Sequence, residues 1–79
     1  MEIEELREQI DTIDDKLTEL FLQRLVVSEE IGRYKKERGL PVLDKSRERA
    51  VLTRRTAQLE PPFDSYVRML YRTLFDISR

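Results

Sequence analysis

The sequence has 79 residues, of which 39% are hydrophobic and 39% charged, with only two glycines and three prolines. This composition predicts one all-α domain spanning residues 1–79 rather than a β-sandwich or a disordered segment. The net charge of −1 argues against a protein whose whole surface binds nucleic acid. Cysteine and histidine are both absent, which excludes Ser-His or Cys-His catalysis and a typical zinc site. No apolar run approaches the ~20 residues that cross a membrane, so we expect a soluble, cytoplasmic protein without membrane contact.

The first helix is predicted from about Glu2 to Glu37, because apolar residues recur there at alternating spacings of three and four. It would be roughly 54 Å long, whereas a compact chain of this size has a radius of gyration of only ~12 Å. Its apolar stripe must therefore be covered from outside the chain. We expect a homodimer whose first helices cross antiparallel near residues 19 to 21, so that Arg7 of one copy approaches residues 28–35 of the other. The stripe consists of Ile3, Leu6, Ile10, Ile13, Leu17, Leu20, Val27, Ile31 and Tyr34.

Two shorter helices are predicted after Gly39, which is a candidate for the end of the first helix. Asp44 is a suitable N-cap for the second helix, which is expected from about Lys45 to Leu59. Pro61-Pro62 ends that helix, and the third is expected from about Pro62 to the C-terminus. The predicted fold is therefore all-α, with one long and two short helices per chain, intertwined as a homodimer along the long first helix.

Several charged residues lie on or beside the apolar stripes of these helices. Arg24 and Lys35 are 11 residues apart, so they share one face of the first helix with roughly 16 Å between their Cα positions. Buried unpaired cations are costly and imply an anion, which either the protein or a ligand supplies. Together with Arg7, Arg47 and Glu48, they suit a compact dianion that also offers a hydroxyl. Arginine grips carboxylates through two hydrogen bonds, and glutamate accepts from a hydroxyl.

The same residues also have structural explanations, which the pattern alone leaves open. In the antiparallel dimer Asp14 of one copy falls near Arg24 of the other, and an ion pair between them would account for both. The charged start of the second helix is compatible with an ordinary first turn. Asp44 is explained equally well as a cap only, and Ser78 as a surface hydroxyl.

Three stretches, taken in order, carry a more specific signal. LREQIDTIDDKL is followed by FLQRLVVSEEIGRYK, which contains Arg24 and ends on Lys35, and then by LPVLDKSRERAVL. The first resembles the opening LRxxIDxIDxxL, and the last resembles the signature PVxDxxREXXVL, of the all-helical chorismate mutases of the AroQ class. The third helix ends with a serine, Ser78, in the place this family has one. The resemblance covers essentially the whole chain and implies an intertwined dimer of three-helix subunits.

This resemblance implies conversion of chorismate to prephenate by an intramolecular Claisen-type rearrangement that needs no metal or other cofactor. The substrate is a dicarboxylate that also carries a hydroxyl and an ether oxygen. By that resemblance the catalytic residues are Lys35, which would donate to the ether oxygen, Arg24, which would bind a carboxylate, and Glu48, which would hold the ring hydroxyl. The substrate-binding residues implied are Arg7 of the partner subunit, Arg24, Lys35, Asp44, Arg47, Glu48 and Ser78.

The family usually places a glutamine or glutamate one turn after that serine, as a second donor to the ether oxygen. Because this sequence stops at Arg79, we expect either activity weakened by reliance on Lys35 alone, or a domain that is fused to or associated with another aromatic-pathway enzyme. Two other functions stay open: an isochorismate pyruvate lyase on the same fold, and a non-catalytic regulatory or assembly module of an aromatic-pathway enzyme. A nucleic-acid binder is disfavoured, because no aromatic residues are interleaved with the basic ones. It would use Arg33, Lys35, Lys36, Arg38, Arg47, Arg49, Arg54 and Arg55.

Overall fold

The structure is a computed structural model that describes residues 2–79, and within that range it has three helices and no strand. The helices are α1 (Ile3–Glu37), α2 (Lys45–Thr56) and α3 (Phe63–Ser78). The short helix α2 packs against α3, and α3 also lies against α1. The predicted all-α fold, with one long and two short helices, is confirmed.

The helix α1 extends well beyond the part of the chain that packs together. It contains 35 residues, and the longest dimension of the molecule is 55 Å. The radius of gyration is 16.1 Å, compared with ~12 Å for a compact chain of this length. None of the residues of α1 is buried, and the stripe residues Ile13 and Leu20 are 57% and 62% exposed. Most helices in proteins owe their stability to packing of their apolar face. Within a single chain, most of the apolar face of α1 lacks that packing.

The C-terminal end of α1 fixes the path of the loop that leads to α2. Gly39 has a φ of +66°, the left-handed conformation that glycine adopts without steric cost. The N–H of Leu40 donates to the Lys35 carbonyl at 2.8 Å, and the N–H of Gly39 donates to the Lys36 carbonyl at 3.3 Å. This pair of hydrogen bonds is the Schellman motif, which satisfies carbonyls of the last helical turn. The backbone of Lys35 is therefore held by the turn that follows it.

The helix α2 ends at Thr56, so the predicted end at Leu59 is wrong. Thr56 is only 6% exposed, and its side chain contacts both short helices. Its Oγ1 donates to the Leu52 carbonyl at 2.7 Å and accepts from Arg68 Nη2 of α3 at 3.0 Å. The chain turns directly afterwards, where the N–H of Leu59 bonds the Thr56 carbonyl at 3.0 Å. The last residue of α2 is therefore in contact with α3 through the hydrogen bond from Arg68.

The helix α3 begins at Phe63, one residue later than expected, and Pro62 is its N-cap. Proline suits the start of a helix because its missing N–H has no partner there. Further along α3, Phe75 is only 8% exposed, and its ring centroid lies 6.0 Å from that of Tyr71. The small core of the chain is therefore on the side of α3 that packs against its neighbours. Among the described residues, no helix combines the length and the apolar character needed to cross a membrane.

Candidate active site

A cleft of about 220 Å³ opens between the second half of α1, the start of α2 and the end of α3. It is smaller than the ~300–1,000 Å³ pockets that hold drug-sized ligands, so it suits a small metabolite. Four cationic and two anionic side chains line it, which leaves a surplus of two positive charges. A cleft with such a surplus attracts a dianion. The charged lining residues are Arg24, Lys35, Arg47, Arg79, Asp44 and Glu48, and Ser78 lines the same cleft.

Six of the seven site residues predicted from the sequence line this cleft, although three helices and a loop supply them. The exception is Arg7, which is exposed and whose Nη1 lies 3.4 Å from Oε1 of Glu4 on the same helix. Arg7 precedes Arg24 by 17 residues, a distance of ~25 Å along the axis of α1. Within one chain, therefore, Arg7 is too far away to reach a ligand beside Arg24.

Arg24 joins α1 to the end of α3 across the cleft. Its Nη1 donates to Ser78 Oγ at 2.9 Å, and both side chains are half-buried. Among residues 2–79, the structure shows no ion pair between Arg24 and a carboxylate. A guanidinium has five N–H donors in a planar fork, so Arg24 retains donors for a carboxylate ligand after its bond to Ser78.

Lys35 lies at the other end of the α1 wall, next to the loop that enters α2. Its Nζ donates to the Val42 carbonyl at 3.3 Å, a long hydrogen bond that a stronger acceptor in the cleft would displace. One turn earlier, Gly32 also lines the cleft, and a Cβ added there would meet no atom within 4 Å. Glycine at this position keeps the space beside Lys35 open, a role that the sequence reasoning missed. The sequence signal was a glycine inside an otherwise strong helical pattern.

The first turn of α2 supplies the opposite wall. Asp44 Oδ1 accepts from the N–H of Arg47 at 2.9 Å, and the Asp44 carbonyl accepts from the N–H of Glu48 at 3.1 Å. The predicted N-cap is thus confirmed, and it fixes the start of the helix that carries Arg47 and Glu48 into the cleft. Arg47 has no ion pair among the described residues, whereas Glu48 does.

The partner of Glu48 is Arg79, a cleft residue that the sequence reasoning did not assign to the site. Arg79 Nε donates to Glu48 Oε2 at 3.1 Å, and Arg79 Nη2 donates to Glu48 Oε1. Its remaining nitrogen, Nη1, lies 3.1 Å from Asp76 Oδ1 on α3. The hydrogen bond to Glu48 raises the pKa of the Arg79 guanidinium above its ordinary value. Although Arg79 follows Ser78 directly, it contacts the α2 wall of the cleft rather than the α1 wall. This contact depends on how α2 packs against the end of α3, which the sequence alone does not reveal.

The comparison with known proteins decides the family. The sequence profile described as chorismate mutase type II matches residues 6–79. The chain belongs to this family. A solved structure, that of chorismate mutase (form I) from Thermus thermophilus, is 35% identical to it with a TM-score of 0.90, and the match covers 98% of each chain. The predicted resemblance to the all-helical chorismate mutases is thereby confirmed.

Curated relatives of this chorismate mutase domain are much longer proteins. A 3-dehydroquinate dehydratase of Pyrobaculum aerophilum is 42% identical over 64 residues, which are 81% of this chain and 21% of that protein. A T-protein of Haemophilus influenzae is 36% identical over 58 residues, 73% of this chain and 15% of its own length. A T-protein of Enterobacter agglomerans is 37% identical over 59 residues, which are 75% of this chain and 16% of that protein. The chain therefore spans about a fifth or less of these relatives.

Proposed function

We propose that this chorismate mutase domain converts chorismate to prephenate in two equivalent clefts of a homodimer. The observation that carries the proposal is the cleft, where cations from α1 and α2 surround a glutamate and a serine. Membership of the family supports the substrate, a dicarboxylate with a hydroxyl and an ether oxygen. The two surplus positive charges of the cleft fit the two negative charges of that substrate.

The reaction suits the chemistry that this chain offers. The ether C–O bond breaks while a new C–C bond forms within the same molecule, so the product is an isomer of the substrate. No proton, electron or leaving group enters or departs, and no nucleophile is required. A protein accelerates such a step by holding the reactive conformer and by stabilising charge that develops in the transition state. A chain without histidine or cysteine is equipped for both.

Arginines and a serine would bind the two carboxylates. Arg24 would grip one of them through its fork, since its side-chain bond to Ser78 Oγ, at 2.9 Å, uses only one of its donors. Ser78 would contact the ring carboxylate, and Arg47 would add positive charge from the first turn of α2. Arg7 of the partner subunit would complete the set. Two-point recognition by arginine fixes the orientation of a carboxylate as well as its position.

Lys35 and Glu48 would act on the other two functional groups of the substrate. Lys35 would donate to the ether oxygen, where negative charge develops as the C–O bond lengthens, and so would stabilise the transition state more than the bound substrate. Its present bond to the Val42 carbonyl is 3.3 Å long and lies at the cleft. Glu48, with the backbone near Asp44, would hold the ring hydroxyl.

The homodimer is supported by the exposed stripe of α1 and by the position of Arg7. Leu20 at the centre of the stripe is 62% exposed, and Ile3 and Ile31 near its ends are 58% and 50% exposed. Contiguous apolar surface of this length marks an interaction site. A two-fold antiparallel arrangement would cover both stripes and would carry Arg7 of each chain to the cleft of the other.

The direct test is product analysis after incubation of the chain with chorismate and, separately, with isochorismate. We expect prephenate from chorismate and no pyruvate from either compound. Pyruvate from isochorismate would instead identify a lyase on the same fold. Binding of both compounds without any product would identify a non-catalytic module. Sedimentation over a range of concentrations tests the dimer, and a chain that stays monomeric throughout would contradict it.

We also infer that the domain is fused to or associated with a second aromatic-pathway enzyme. The support is that this chain matches only part of its curated relatives, including 21% of a protein named 3-dehydroquinate dehydratase. Two measurements test this inference. Sequencing of the gene shows whether the reading frame continues into a second enzyme, and purification of the protein at its native level shows whether a second enzyme accompanies it. An independent frame with no co-purifying enzyme would contradict it.

A further inference from the structure

Ser78 and Arg79, at the end of α3, contact opposite walls of the cleft. Ser78 Oγ accepts from Arg24 of α1 at 2.9 Å. Arg79 donates through Nε and Nη2 to the two carboxylate oxygens of Glu48 in α2. The proposed reaction uses Arg24, Ser78 and Glu48 but assigns nothing to Arg79, although Arg79 lines the same cleft.

The geometry of the pair restricts the carboxylate of Glu48 more than a single contact would. Two parallel N–H bonds from one guanidinium fix the plane of a carboxylate as well as its position. The guanidinium is itself held, because Arg79 Nη1 also bonds Asp76 Oδ1 at 3.1 Å. The side chain of Glu48 is 21% exposed and that of Arg79 is 41% exposed. Glu48 lines the cleft, and the orientation of its carboxylate is set by the residue that follows α3.

The pair still leaves Glu48 able to bind a ligand. An ionised carboxylate has two oxygens with about four lone-pair sites, and Arg79 occupies one site on each oxygen. The remaining sites are available to a hydroxyl in the cleft. Without Arg79, the three rotatable bonds of the glutamate would let the carboxylate sample several positions, and an oriented acceptor would be lost.

We propose that Arg79 is a positioning residue, which holds the carboxylate of Glu48 in the orientation that accepts the hydroxyl of the substrate. This proposal rests on the proposed function and adds a residue to it. Arg79 acts through Glu48 and does not itself contact the reacting atoms. Because the fork sets the orientation, a lysine at this position, which is a point charge, would replace it only in part.

The first experiment is a double-mutant cycle on kcat/KM with Arg79→Gln, Glu48→Gln and the combined variant. We expect Arg79→Gln to lower kcat/KM about ten-fold in the wild type. In the Glu48→Gln variant the same change should lower kcat/KM less than about two-fold. Arg79→Lys should recover part of the loss. Arg55→Gln changes an exposed arginine of α2 that does not line the cleft, so it is the matched control and should behave like the wild type. Losses that multiply in the combined variant would overturn the proposal, because Arg79 would then act independently of Glu48.

The second experiment separates this proposal from the proposed function, because it needs no turnover. A stable cyclic ether dicarboxylate of the shape of the substrate is prepared with and without the ring hydroxyl, and binding is measured by calorimetry. We expect Arg79→Gln to lower the affinity for the hydroxylated compound about ten-fold. The affinity for the deoxy compound should change by less than about two-fold. Equal weakening of both compounds, or of neither, would overturn the positioning role even if the chain turns over chorismate. A chain without turnover that still shows this difference would contradict only the proposed function.

A purely structural ion pair between α2 and α3 gives a different result. It would couple Arg79 and Glu48 in thermal unfolding while leaving kcat/KM unchanged at temperatures far below the transition. Thermal unfolding of the same four proteins therefore accompanies both experiments. Coupling in the unfolding midpoint alone would overturn the proposal.

Discussion

The position of Arg7 makes a quantitative prediction about mixed dimers. Arg7 lies ~25 Å along α1 from Arg24, and its Nη1 donates to Glu4 Oε1 at 3.4 Å. If Arg7 serves the reaction, it serves the cleft of a second chain. Arg7→Ala and Arg24→Ala then damage each site through different subunits. Each variant alone should be nearly inactive, because both of its clefts lack one arginine.

Mixing the two inactive variants should restore activity of a predictable size. With free exchange of subunits, about half of the dimers contain one chain of each kind, and each of these has one intact site and one doubly damaged site. The mixture should therefore show about one quarter of the wild-type activity at the same total concentration. Loss of chorismate is the assay, and exchange is verified by mass spectrometry on chains of different isotopic mass.

The matched control is a mixture of Arg24→Ala and Lys35→Ala. Both of these residues line the cleft of their own chain, so no mixed dimer contains an intact site and activity should stay at the level of the parents. If the mixture of Arg7→Ala and Arg24→Ala also stays at that level while the chains exchange, Arg7 does not act across the dimer.

Three further predictions concern single residues. Arg24→Ala should lower kcat/KM by at least ~10²-fold. Arg24→Lys should recover only part of the lost kcat/KM, since a point charge does not reproduce the fork of the guanidinium. Wild-type turnover of either variant in steady-state kinetics would contradict this. Lys35→Ala should lower kcat more than it raises KM, because its donor acts on charge that develops in the transition state, and a rise in KM alone is the contrary result. Gly32→Ala should raise the free energy of unfolding by ~0.5–1 kcal/mol and also raise KM, because a methyl group favours the helix but enters the cleft. Its control is Gly39→Ala at a φ of +66°, which should lower the free energy of unfolding by roughly 1–2 kcal/mol. Denaturant titration measures this free energy for both variants, and a change of the same sign in both would contradict the reasoning.

The parts of the fold that were predicted correctly depend on signals close together in the sequence. The period of apolar residues along α1, the glycine after it and the side chain of Asp44 each act within one or two turns of the residues they affect. The end of α2 was missed for the opposite reason. The last residue of that helix, Thr56, bonds Arg68, which is 12 positions away on another helix, and such a contact has no local pattern.

The candidate site divides in the same way. The charges of α1 indicated a dianion, but the pairing of Arg24 with Ser78 spans 54 positions, and Ser78 was assigned to the site by resemblance to a family rather than by spacing. Arg79 was missed because its contact with Glu48 spans 31 positions and does not belong to the motifs that carried the resemblance. The type of ligand was therefore predictable from the residues, whereas the contacts that orient the site depend on how α2 and α3 pack.

In the proposed dimer and ligand complex, helix α1 would be stabilised both by a second copy of the chain and by an anion. Among the described residues only Phe75 and Thr56 are buried, and the hydrogen bond between Arg24 and Ser78 joins two walls of the cleft. Half-buried cations without carboxylate partners raise the free energy of the folded state, and a bound dianion relieves that cost. The exposed apolar stripe of the same helix adds a second cost, which the partner chain of the proposed dimer would relieve by covering it. Ligand binding and dimer formation, as proposed, would stabilise the same helix. Each should therefore favour the other, with the residues of α1 as the physical link between them.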